Sequence, residues 1–152
     1  MAVLMLFASC ARQAPKVERL HVEGTALMNE KGDTVELKGM SFGWNVLWPR
    51  FYNASAVKHV VEDWEAEIVR AAIGVEIDDD ECQVQNYLKN PDFGKQCACT
   101  IVDAAIENGV YVLVDWHAHG LHTEAAVEFF TYMATKYQGV PNVIYEIWNE
   151  PS

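Results

Sequence analysis

Side chains able to do chemistry stand where apolar runs end. Asn149 and Glu150 follow VIYEIW, Asp115 and His117 close VYVLVDWH, and Arg70 interrupts IVRAAI. A carboxyl at the mouth of an apolar strand, partly desolvated and near a second carboxylate, holds its proton more tightly than a free one and can act as an acid. Pro151 removes an N–H and stiffens the chain behind Glu150. The plain alternative for Glu150 is a solvated residue capping a following helix. A guanidinium flanked by Val69 and Ala71 needs an anion to be tolerated. A purely structural ion pair with Glu146 would meet that need as well as a role in a site.

The segment DWHAHGLHTE adds His119, His122 and Glu124 to Asp115 and His117. Imidazoles and a carboxylate at a strand end are suitable zinc ligands, so a metal-dependent barrel hydrolase using His117 and His119 is one alternative. It leaves IWNEPS without a role. The acidic run IDDDE, Ile77 to Glu81, lacks the spaced ligands and the glycine of a calcium loop and reads as a solvated turn.

The elements that must position these groups alternate between the two hydrophobic periods. RLHVEGTALMNEKGDTVELKGMS reads as a β-hairpin turning at Asn29 to Asp33, with Val35 to Met40 as a core strand. NASAVKHVVEDWE is a helix capped by Ser55, with Trp64 in the core, and Ile68 to Ile73 is a strand. Then FGKQCACTIVDAAIENG is a helix closed by Gly109, VYVLVDWH a strand, TEAAVEFFTYMATKYQG a helix closed by Gly139, and NVIYEIW a strand. Strand and helix in strict alternation, with nearly continuous apolar strands, predict parallel α/β architecture. No glycine-rich phosphate turn follows a strand, whereas polar groups gather at several strand ends, as on the rim of a (β/α)8 barrel. Four such strands amount to the N-terminal half of a TIM barrel, preceded by a hairpin. The first and fourth strands are then open edges, through which copies can self-associate.

The chain has 152 residues, 51% apolar and 22% charged, in the range of a globular domain with its own core. A formal charge of −11 repels phosphate backbones and sets nucleic-acid binding aside, while a neutral polymer meets no such barrier. MAVLMLFASC is an apolar run ending in small residues before Cys10, so residues 1–18 read as an export signal, a lipid anchor at Cys10 and a linker, with the domain over 19–152. No segment is long enough to span a bilayer. Cys82, Cys97 and Cys99 lack metal-ligand spacing and read as small apolar residues, with a Cys82 bridge to either of the others as the alternative.

VIYEIWNEPS, with LKGMSFGW, WPRFYNASAV, IVRAAIGVE and DWHAHG in order before it, resembles glycoside hydrolase family 5, the cellulase family, in its bacterial endo-β-1,4-glucanase branch. The resemblance spans Val35 to Ser152. It implies retaining hydrolysis of β-glycosidic bonds without a cofactor, on a β-glucan. Glu150 then matches the acid/base and Asn149 the residue that bonds the sugar 2-OH. Arg70 matches the arginine that orients the nucleophile, and His117 a histidine that positions groups around the cleaved bond. Trp44, Trp48, Trp116 and Trp148, at or just beyond strand ends, offer flat faces for pyranose rings, with ordinary packing as the competing reading. The nucleophile of the family lies on strand seven, so this chain is expected to carry the acid/base half of the site. A catalytically inactive carbohydrate-binding fragment is the alternative. The chain departs from related sequences at Asn45, Val46 and Leu47, where substrate contacts are expected to differ.

Overall fold

The computed structural model describes residues 17–151, so the expected export signal and the anchor at Cys10 lie outside the described residues. A small antiparallel hairpin, β1 (Leu20–Glu23) with β2 (Ala26–Asn29), precedes a parallel sheet in the order β3 (Gly39–Trp44), β4 (Ile68–Gly74), β5 (Tyr111–His117), β6 (Val143–Glu146). Helices α1 (Ala54–Trp64), α2 (Pro91–Asn108) and α3 (Thr123–Lys136) make the crossovers. The architecture is α/β, as in half of a (β/α)8 barrel.

Strand parity sorts the side chains. On β4 and β5 the residues Val69, Ala71, Ile73, Val112, Val114 and Trp116 face the helices and are at most 1% exposed. They pack against Val57 of α1, Ile101 and Val102 of α2, and Phe129 and Met133 of α3. Trp116 therefore belongs to the core and not to a ligand-facing rim: its ring lies 4.9 Å from Tyr87 and 5.3 Å from Phe129. The alternate residues, Arg70, Asp115, His117 and Glu146, share the opposite face.

The local signals act mostly as chain chemistry dictates. Asn90 accepts from Phe93 N at 3.2 Å, Pro91 opens α2, and Gly109 closes it in the left-handed region at φ 68°. Helix α1 is capped by Asn53 and not Ser55: Asn53 Oδ1 accepts from Ala56 N at 2.9 Å, and the Ser55 hydroxyl donates to the same oxygen. Helix α3 ends at Lys136, so Gly139 serves the turn beyond it. Trp64, expected in the core, is 57% exposed on α1.

The hairpin turns at Gly24, φ 61°, one step earlier than the Asn29–Asp33 segment. That segment is a second turn, closed by Asn29 N to Asp33 O at 3.0 Å, which lets Thr34 bridge back to Met28. The core strand starts at Gly39, four residues later than the apolar run from Val35 indicates. Gly39 permits this approach, since a Cβ there would sit 1.7 Å from Ile68 O. Cys82, Cys97 and Cys99 are free thiols, the last two buried in α2 packing, so the alternative bridge is not formed.

Candidate active site

Parallel pairing sets Ala72 beside Asp115 and Asp115 beside Glu146, which brings one guanidinium and two carboxylates to a single face. Arg70 donates through Nε to Glu146 Oε2 at 2.8 Å and through Nη2 to Glu146 Oε1 at 2.9 Å, a two-pronged pair. Nη2 also reaches Asp115 Oδ2 at 2.8 Å and Asn149 Oδ1 at 2.9 Å. These bonds, chiefly those to Glu146, raise the Arg70 pKa above its ordinary value. The chain thus supplies its own anions to Arg70, and the ion pair with Glu146 considered from sequence is formed.

Asp115 is fully buried and joins two donors, Arg70 and His117 Nδ1, the latter at 2.6 Å. Its Oδ1 has no protein partner. Burial pushes the Asp115 carboxyl above the usual carboxylate range, opposed by the His117 bond and the Arg70 charge. With Nδ1 committed to Asp115, the imidazole orientation is fixed and Nε2 is the nitrogen left for other partners. The ring packs edge-on against Trp44, centroids 4.3 Å apart.

Arg70 carries donors only, so the Asn149 atom that meets it is the carbonyl oxygen. The Asn149 NH2 group is the end left to donate to a ligand. Glu150 comes next in the chain but turns out of the cluster: its side chain is 70% exposed, and its Oε2 lies 3.6 Å from His119 Nε2. The desolvation expected for a carboxyl at a strand mouth is not supplied by the described residues. His119 Nδ1 lies 3.5 Å from Glu76 Oε1.

The structure thus brings Arg70, His117, Asn149 and Trp44 into one cluster, with Asp115 and Glu146 as its anions, and sets Glu150 beside it. It separates the other tryptophans from that cluster. Trp48, 42% exposed, lines a groove of about 640 Å³ between β3 and α1 and carries the Arg50 guanidinium 4.9 Å from its ring centroid. Trp148 lines a groove of about 520 Å³ against α3, with its Nε1 buried and unpartnered. Asn45 and Val46 are buried, and Asn45 Oδ1 accepts from Gly74 N at 2.8 Å, so this departure from related sequences is built into the scaffold. His117 and His119, the pair a metal site would use, address different carboxylates. Among the described residues no three His, Cys, Asp or Glu side chains converge as metal ligands. Glu76 had gone unassigned from sequence. Its signals are its place two residues beyond a strand end, a site position in a barrel, and its position closing IVRAAIGVE.

Residues 28–152 match the model of the cellulase family, glycosyl hydrolase family 5. Endoglucanase Z of Dickeya dadantii is 40% identical over 141 residues, covering 89% of this chain and 31% of its own length. A solved structure from Cytophaga hutchinsonii is 43% identical with a TM-score of 0.81, over 88% of this chain and 42% of that one. The catalytic domain of Thermobifida fusca endoglucanase Cel5A in complex with cellotetraose is 31% identical with a TM-score of 0.75, over 88% and 43% of the two chains. This chain therefore spans less than half the length of these relatives. On the family match and these identities, the chain belongs to glycosyl hydrolase family 5, the cellulases.

Proposed function

We propose that this chain forms the acid/base half of an endoglucanase site that hydrolyses β-1,4-glucan with retention. Glu150 gives its proton to the leaving oxygen and then takes one from the attacking water, and the partner carboxylate is a nucleophile contributed by the remaining units of the domain. Asn149 donates its amide N–H to the sugar 2-hydroxyl, a contact that strengthens as the oxocarbenium ion develops. His117, oriented by Asp115, presents Nε2 to the reacting sugar. Trp44 flanks the same ring and is the tryptophan best placed to stack on it. Arg70 holds Asn149 and, with its charge shared among Glu146 and Asp115, keeps the face rigid; in the complete domain it also orients the nucleophile.

The observation that carries this reading is the Arg70–Asn149 bond, because it leaves the donor end of Asn149 free beside Glu150. The test uses the completed domain, in which this chain continues into the second half of the Cytophaga hutchinsonii relative. Glu150→Gln is expected to lower kcat/KM on cellotetraose by about 10²–10⁴-fold, the usual worth of a general acid, with little change in KM. Residues 1–152 alone are expected to show no turnover. Full turnover by Glu150→Gln would remove the acid role, and glucan binding without turnover by the completed domain would favour the inactive binding reading. A polymeric substrate is met outside the cell, which accords with export and lipidation at Cys10. Mass spectrometry of the mature protein tests this: a diacylglyceryl mass on Cys10 at the new N-terminus is expected.

A further inference from the structure

Three neighbouring strand ends set Glu76, His119 and Glu150 in a row. Glu76 follows β4 by two residues, and its Oε1 accepts the backbone N–H of His119 at 2.6 Å and of Gly120 at 3.2 Å. Its Oε2, buried and without a hydrogen-bond partner, lies 3.5 Å from His122 Nε2. One carboxylate thus clamps the turn between β5 and α3 onto the end of β4. His122, where that turn enters α3, sits at φ 40°, a conformation a non-glycine residue keeps only where its surroundings impose it. Within the clamped turn the His119 ring lies beside Trp44, centroids 5.9 Å apart, with Nδ1 toward Glu76 and Nε2 toward Glu150.

We propose that His119, clamped by Glu76, is a positioning residue that holds the Glu150 carboxyl at the lip of the cleft. The inference rests on Glu150 being the acid/base. A glutamate with three rotatable bonds and 70% exposure does not keep one geometry unaided, whereas proton transfer demands a group placed within a fraction of an ångström. Among the described residues His119 is the one basic side chain within ion-pair distance of Glu150. At 3.6 Å the contact is just beyond hydrogen-bond length, and rotation of the exposed Glu150 side chain brings Oε2 within reach of an Nε2–H donor. His119 touches Glu150 and acts through it. Arg70, by contrast, secures Asn149, so the two adjacent residues of the NE pair are held by different elements.

Two measurements test this. In residues 1–152, nuclear Overhauser contacts between the His119 ring and the Glu150 side chain are expected in the native protein and lost in Glu76→Ala, which removes the acceptor of both backbone N–H groups; their absence from the native protein overturns the inference. In the completed domain, rates are compared on cellobiosides with a poor leaving group, p-nitrophenolate, and a good one, 2,4-dinitrophenolate, which needs no proton. Glu150→Gln is expected to widen the good-to-poor rate ratio by at least 10²-fold, and His119→Ala by about tenfold. His119→Gln, whose amide N–H replaces the Nε2 donor, should recover part of the loss. If Glu150→Gln widens the ratio and His119→Ala does not, the positioning role fails while the acid role stands. If Glu150→Gln leaves the ratio unchanged, the acid role fails and the inference falls with it.

Discussion

Arg70 is the residue on which the face of the sheet depends. Its side chain is 24% exposed and its anion Asp115 is fully buried, so removing the guanidinium strands two carboxylates and an amide oxygen. Arg70→Ala is expected to lower stability by about 3 kcal/mol, the lower end for broken buried pairs because Arg70 is partly solvated. The urea midpoint checks it, and a loss under 1 kcal/mol would show that the pair contributes little. Asp115 gives the pH dependence. Its folded pKa is raised by burial, so the folded state binds its proton more readily than the unfolded chain does. Its contribution to stability is present below the ordinary carboxylate value and is lost as pH rises through the raised value. The stability of native protein relative to Asp115→Asn should therefore fall on going from acid toward neutral pH. A difference that grows over that window contradicts the assignment. Arg70 was legible in sequence because a charge inside an apolar strand demands a partner, and Asp115 because it stands at a strand end. The row from Glu76 to Glu150 was not, since it joins loop residues through backbone N–H groups that only the folded turn presents.

Parity within the strands decides which aromatic rings face a ligand. In VLVDWH the polar Asp115 and His117 flank Trp116, so a sheet with one polar face must turn Trp116 the other way. That signal was present and outweighed by position at a strand end. Trp116→Ala is expected to cost about 4 kcal/mol in stability, as for large core aromatics. Trp44→Ala is expected to change stability less and to raise KM for cellotetraose in the completed domain. Equal unfolding midpoints for the two variants would contradict this division. The β3–β4 pairing is equally sensitive, because Gly39 Cα lies against Ile68 O. Gly39→Ala is expected to destabilise by about 3 kcal/mol or to prevent folding, read from the thermal transition. The start of β3 was hidden in sequence because Val35, Leu37 and Met40 alternate like a strand, while the ladder with β4 begins where Gly39 lets the backbones meet.

Among the described residues the four parallel strands leave β3 and β6 each with one unpaired side, and each flank also bears an apolar groove. Met40, Phe51 and Trp64 are exposed along the first, and Leu121, Val127 and Ile147 along the second. Residues 1–152 by themselves are expected to associate with rising concentration, and the completed domain to remain monomeric, by analytical ultracentrifugation. Concentration-independent monomers of the shorter chain would contradict that expectation. The repeated strand and helix alternation made the half-barrel readable, because helix and strand periods differ enough to survive in single segments. The flanks were read only as open edges, since the exposure of Trp64 depends on what lies beside α1. If Glu150 is the acid/base of a retaining site, azide added to Glu150→Ala in the completed domain restores turnover by attacking the glycosyl-enzyme. With 2,4-dinitrophenyl β-cellobioside, azide should speed turnover and yield β-cellobiosyl azide, the product of attack on a glycosyl-enzyme. An α-azide, which would make Glu150 the nucleophile, or no response to azide contradicts that role.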